Sequence, residues 1–272
     1  MLILSFFVII FILFGINGFS KSRPQLESVF AILNGQNPSV SMNISPFASL
    51  LPEKKFNIPI ITYHYVEIVQ NKDDFIRERL SIKPDTFEAQ LKTLKRLNYQ
   101  TVWVKEIPKI VTSNKNLENK PIALTFDDAY GDFYTDVFPL IKKYNTKVTL
   151  YVISDFINRP NYMTSSQLTE VIKSGLVEIG AHSVNHLDLP SVSEEVANYQ
   201  IVTSKESLEN TYKIKIETFC YPYGFYNDKV AKMVQDAGYT AAVSEVANTT
   251  QSKSNLFYLS RIRVGGFDSV IN

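Results

Sequence analysis

Apolar residues recur along this chain in two rhythms. Runs that are apolar on both faces, among them IPIITYH from Ile58, PIALTF from Pro121, KVTLYVI from Lys147, LVEIGAH from Leu176 and ETFCYPY from Glu217, predict buried strands. TVWV from Thr101, YTAAV from Tyr239 and YLSRIRV from Tyr258 extend the set. Between them the spacing turns helical. Phe87, Leu91 and Leu94 stand at i, i+4 and i+7 in a helix expected over about 85–98, with Asp85 and Glu88 as a capping-box pair behind Pro84. Further helices are expected near 132–144, 167–174, 193–212 and 227–237, the last stopped by Gly238, where a left-handed residue costs glycine nothing. Six or more doubly apolar strands alternating with amphipathic helices predict an α/β protein on a parallel sheet, open or closed into a barrel.

Residues 2–19 carry no charged side chain and approach the length needed to span a bilayer. They lack a basic leader and a clear small-residue cleavage site, so 1–19 reads as a signal peptide or a membrane anchor, and an extracytoplasmic protein, secreted or held at the cell surface, is expected. Residues 20–57, rich in Ser, Asn, Pro and Lys, read as a linker, and 58–272 as one domain. With 45% hydrophobic residues in a chain of 272, one sizeable core is available. The 28 basic and 27 acidic residues leave a charge of +1, which gives no support to a nucleic-acid partner and suits a near-neutral polymer. The one cysteine, Cys220, excludes an intrachain disulfide and reads as a small hydrophobe in a buried strand.

In parallel β/α architectures the loops after the strand C-termini share one face, where active sites sit. The unusual polar residues of this chain fall there: His64 after IPIITY, Asp127 and Asp128 after IALTF, His182 and His186 after VEIGA, and Tyr221, Pro222, Tyr223 and Gly224 after ETFC. HSVNH sets two imidazoles at i and i+4, and with a carboxylate from a neighbouring strand they form a donor set that leaves positions open for water; zinc is the first expectation. One acid of TFDD is explained by capping a helix that starts near Gly131. Two adjacent carboxylates repel, however, and a cation relieves them: one acid becomes a ligand, the other a general base for water whose pKa the ion lowers from about 15.7 to about 7.

LTFDD, HSVNH and FCYPYG, in this order at the ends of successive strands, resemble the polysaccharide deacetylases of the NodB-homology type, carbohydrate esterase family four, over roughly residues 58–264. The resemblance implies a deformed (β/α) barrel of about seven parallel strands. It implies Asp127 as catalytic base, and Asp128, His182 and His186 as metal ligands. It also implies a sugar-lining loop of Tyr221, Pro222 and Tyr223, with the Tyr223 N–H facing the oxyanion. Two departures stand out. Cys220 occupies the place of an arginine that holds the base in most members, and no histidine follows His186. Some extracellular members, the poly-N-acetylglucosamine deacetylases, resemble a circular permutation with the last strand first, and on that resemblance His64 is the general acid.

The missing guanidinium is expected from Arg261 or Arg263, with Arg261 preferred. Trp103, Tyr130 and Tyr226 are candidates for stacking on sugar rings, beside the ordinary reading of each as core. The expected activity is removal of N-acetyl groups from poly-β-1,6-N-acetylglucosamine by a monomeric, divalent-metal enzyme. Peptidoglycan or chitin oligomers are the rival substrates, and a non-catalytic carbohydrate-binding wall protein is the rival class.

Overall fold

Parallel strands need crossover connections, and the helical segments supply them. The computed structural model describes residues 53–71, 73–113 and 119–265. Contacts divide the chain into Met1–Pro52 and Glu53–Asn272. The predicted segment 1–19 and the predicted linker as far as Pro52 lie outside the described residues, and the architecture is that of the second unit. Among the described residues no helix is long and apolar enough to cross a membrane. The end of the predicted linker belongs to the folded unit: β1 (Phe56–Asn57) pairs with a late strand at Thr250–Gln251, and Phe56 is buried.

After β1 come β2 (Ile60–Tyr63), β3 (Tyr65–Val66), α1 (Phe75–Leu80), β4 (Ser81–Ile82), α2 (Pro84–Arg96), β5 (Tyr99–Thr101), α3 (Ile107–Thr112) and β6 (Lys120–Phe126). Then come α4 (Phe138–Tyr144), β7 (Val148–Val152), α5 (Ser165–Lys173), β8 (Val177–Ala181), α6 (Glu194–Tyr212), β9 (Thr218–Cys220), α7 (Asp228–Asp236), β10 (Ala241–Val243), β11 (Thr250–Gln251) and β12 (Ile262–Arg263). The main sheet runs β10-β9-β8-β7-β6-β2-β12, every pair parallel. β5 pairs with the start of β6 and β7 with its end, so two strands share one edge of β6. The chain from Leu259 to Val264 hydrogen-bonds β10 first, through Leu259 N–H to Ala242, and then β2, through Val264 N–H to Thr62. It thereby joins the two ends of the sheet into a deformed (β/α) barrel.

Alternation along each strand divides the apolar residues into two clusters. Ile61, Tyr63, Leu124, Phe126, Leu150 and Val152 pack in the larger cluster with apolar residues of the helices. Ile60, Ala123, Tyr151, Cys220 and Val243 form the second, together with Phe56, Ile58 and the α3 region. Gly180 serves this inner packing, because a Cβ there would lie 2.4 Å from the Tyr151 ring and 2.8 Å from the Thr218 hydroxyl.

Three local expectations are corrected. The strand expected at TVWV ends at Thr101, and a 3-10 turn succeeds it at Val104–Glu106 because the Val104 N–H bonds the Thr149 side chain instead of extending the ladder. Asp85 and Glu88 form no capping box: Lys83 is the N-cap with Pro84 at the first helical position, and Glu88 pairs with Lys92, Lys143 and the Tyr144 hydroxyl. The segment before α4 is wound as a π-helix at Phe133–Val137. Gly238 closes α7 with φ +78°, as expected.

Gly180→Ala should destabilise the protein by about 1–3 kcal/mol through overpacking against Tyr151, measured as a lower midpoint in chemical denaturation with an unchanged slope.

Candidate active site

The inward parity of each strand, continued past its end, yields the polar cluster. Ile60 and Thr62 lead to His64; Ala123 and Thr125 to Asp127; Glu178 and Gly180 to His182; Ala241 and Val243 to Glu245. These side chains line one cavity of about 320 Å³, with Asp128, His186, Tyr130 and Arg261 among its other walls.

Asp127 and Arg261 are 3% and 2% exposed, and they meet as a bidentate pair: Nη1 donates to Oδ1 at 2.8 Å and Nη2 to Oδ2 at 2.9 Å. Arg261 also donates from Nε to the Ser244 carbonyl, from Nη1 to Thr125, and from Nη2 to Glu245 at 2.6 Å. Burial works to raise the Asp127 carboxyl, and the Arg261 guanidinium overrides it by charge and hydrogen bonds, holding the group well below the usual carboxylate range. Arg261 Nη2 lies 3.3 Å from Cys220 Sγ, so the small thiol leaves room for a guanidinium arriving from the segment just before β12. Arg263, by contrast, is exposed at the cavity rim.

Asp128, His182 and His186 form a triangle beside this pair, with ligand atoms all within 4.8 Å of one another. His182 Nε2 is 3.4 Å and His186 Nε2 is 3.6 Å from Asp128 Oδ1. His182 Nδ1 donates to the Cys220 carbonyl at 2.8 Å, which sets the tautomer and leaves the Nε2 lone pair facing the acid. Burial, then the neighbouring His182, pushes the His186 imidazole down to about 4, toward the neutral form that ligates. Asp128 Oδ1 is buried with no hydrogen-bond partner among the described residues. An orphaned carboxylate oxygen facing two imidazole nitrogens is the donor set a divalent ion requires, and the three residues fit one. Neither acid acts as a helix cap, since the N-cap of the next helical stretch is Asp132.

The loops bearing these groups hold left-handed backbone at Asp128, Ala129, Ser183, His186 and Tyr223, which costs non-glycine residues of order 1–3 kcal/mol each. Local bonds offset part of it: Ser183 Oγ accepts the His186 N–H at 2.9 Å, and Val184 N–H donates to Gln200.

His64 lines the cavity with Nε2 4.0 Å from Asp127 Oδ2. Tyr223 is 56% exposed, its ring edge-on to His186 at 4.5 Å. Tyr221 lines the wall and donates its hydroxyl to the Phe257 carbonyl, while Pro222 is buried behind the loop. Of the three aromatic candidates only Tyr130 lines the cavity. Tyr226 is stacked between Tyr221 and Tyr258. Trp103 lies near the strand N-termini, its indole donating to Leu176 and its ring under Lys147. Sequence reasoning missed Glu245, although its place at period two after Ala241 and Val243 was a usable signal.

Arg261→Met should cost about 3–5 kcal/mol at pH 7 by leaving Asp127 buried and unpaired. Because the native Asp127 carboxyl lies below its ordinary value of 3.8, the pair contributes fully above that pH and is lost as pH falls through the native value. Denaturation midpoints of wild type and variant should therefore converge in acid.

A family model for polysaccharide deacetylases matches residues 114–242. His64 and Arg261 lie outside that stretch, on or beside β2 and β12, which pair with each other next to β6. The Bacillus subtilis protein YxkH, assigned by name to the polysaccharide deacetylases, is 29% identical over 212 residues, 78% of this chain and 73% of YxkH. The poly-β-1,6-N-acetyl-D-glucosamine N-deacetylase of Staphylococcus aureus is 24% identical over 225 residues, 75% of this chain and 77% of its own. The Streptococcus pyogenes deacetylase PplD, solved with acetate, superposes with a TM-score of 0.73 at 29% identity, over 79% of this chain and 95% of its own. A barrel of this topology, three ordered motifs converging on one cavity and these likenesses lead to one conclusion: residues 114–242 match the polysaccharide deacetylase family, and the chain around them resembles its members.

Proposed function

We propose that the protein is a metal-dependent N-deacetylase of an N-acetylglucosamine polymer, with poly-β-1,6-N-acetylglucosamine as its substrate. The observation that carries this reading is the adjacency of a guanidinium-clamped carboxylate, Asp127, to the Asp128, His182 and His186 triangle, with His64 across the same cavity. Asp128, His182 and His186 would hold a divalent ion, zinc by the chemistry of the donors. When bound, such an ion supplies Lewis acidity at the acetamide and eases ionisation of water.

The residues themselves divide the remaining work. Asp127, fixed in one rotamer by Arg261, accepts the proton of the attacking water. The Tyr223 N–H donates to the oxygen that gains charge. His64 delivers a proton to the departing nitrogen, so the acetamide C–N bond breaks to acetate and a free amine. Support for the β-1,6-linked polymer comes from the named activity of the Staphylococcus aureus relative and from His64 standing directly after the first core strand. The uncharged run at residues 2–19 supports action outside the cytoplasm, by a secreted or anchored monomer.

Acetate release should be seen with β-1,6-linked N-acetylglucosamine oligomers, vanish on chelation and return with zinc. Faster release from chitin oligomers or peptidoglycan would reassign the substrate. Asp127→Asn should keep one ion per chain by elemental analysis and lose at least about 100-fold in turnover; a variant above a tenth of wild-type rate would remove Asp127 from the base role.

A further inference from the structure

Asp132 is a largely buried acid for which the deacetylation chemistry has no use. It stands at the N-cap of the π stretch, yet its side chain caps nothing. Its Oδ1 is buried without a partner among the described residues, and burial pushes the carboxyl up to about 6. The charges of Glu67 and Asp136 push it the same way, and the one cation among the described residues that couples to it, Arg77, is engaged in the ion pair with Glu67. Its one strong bond is from the Val66 N–H to Oδ2 at 2.6 Å.

That bond falls two residues after His64. On the other side of His64, the Tyr63 carbonyl accepts the Asp127 N–H at 3.0 Å. The loop carrying the acid pair therefore grips the segment carrying His64 at both ends, and the rings of Tyr65 and Tyr130 stack between the two grips at 4.0 Å. From Tyr65 on, the chain leaves the barrel as β3, α1 and β4, tied within itself by the Glu67–Arg77 ion pair and the β3–β4 ladder. Without the carboxylate the far end of the His64 segment would go with this excursion rather than with the barrel.

We propose that Asp132 is a positioning residue for His64: by accepting the Val66 N–H it sets where the imidazole stands over Asp127. The inference rests on the reading of His64 as proton donor. A displacement of about 1 Å at a reacting group is worth up to about 100-fold in rate, so one backbone bond suffices for a measurable effect.

The test compares an N-acetylglucosamine oligomer, whose amine must be protonated to leave, with an aryl acetate, whose phenolate leaves without a proton. Asp132→Ala should lower kcat on the amide at least about 10-fold with KM and zinc content unchanged, and should spare aryl acetate hydrolysis. Asp132→Asn, which keeps an acceptor oxygen, should restore amide turnover to within about threefold of wild type. If the alanine variant does not fold, Asp132→Leu fills the space without an acceptor and takes its place. Unchanged amide turnover, equal loss on both substrates, loss of zinc, or an asparagine variant as impaired as alanine would each overturn the proposal. His64→Ala separates the two readings: if that variant retains amide turnover, the acid assignment of His64 fails on its own account, whatever Asp132 does.

Discussion

Two opposite charges, Asp127 and Arg261, lie at the mouth of the barrel almost wholly withdrawn from water, and neither would be tolerable there alone. Their pairing constrains much else. Arg261 reaches Asp127 only because the chain from Leu259 to Val264 crosses from β10 to β2 and so completes the ring. Every nitrogen of the guanidinium is bonded, to Ser244, Thr125, Glu245 and Asp127, which ties together the ends of β6 and β10 and the approach to β12. Breaking the pair would therefore loosen the closure of the barrel as well as free Asp127.

This arrangement separates two carboxylates that are neighbours in sequence. Asp127 continues the inward parity of β6 and meets a cation that never leaves. Asp128, with left-handed backbone, turns toward two imidazoles instead, one with its tautomer set by the Cys220 carbonyl. Adjacent acids are thus given different partners and different chemistry by one change of backbone conformation. The strain at Asp128, Ala129, Ser183, His186 and Tyr223 lies in three of the loops that form the site, those after β6, β8 and β9, which the rigid sheet beneath them can sustain.

The departures from the family pattern have a common physical account. Cys220 is small, buried and within 3.3 Å of Arg261, so the space beside Asp127 is filled from the approach to β12 rather than from β9. The proposed proton donor is likewise displaced in sequence but not in space: His64 leads from β2, which stands between β6 and β12. Function here depends on which strand ends adjoin, and the chain reaches that adjacency by a different order of connections.

From the residues alone one could read the β/α alternation, the long helices, and the polar residues at strand ends, because side-chain period and strand length are local properties. Local pattern also indicated that Asp127, Asp128, His182 and His186 belong to one kind of chemistry. It left Trp103 open between core and sugar site, and the ring stands at the opposite end of the sheet; it misjudged the capping pair Asp85 and Glu88 and the linker boundary, since β1 forms only against β11, far along the chain. Glu245 was legible in principle and was overlooked. What only the tertiary structure decided was adjacency across the ring: that Arg261 rather than Arg263 takes the buried place, that it does so beside Cys220, and that Val66 hangs on Asp132. These contacts join residues far apart in the chain, 134 positions in the case of Arg261 and Asp127. No local spacing encodes them; they arise from strand order and from the closing of the barrel.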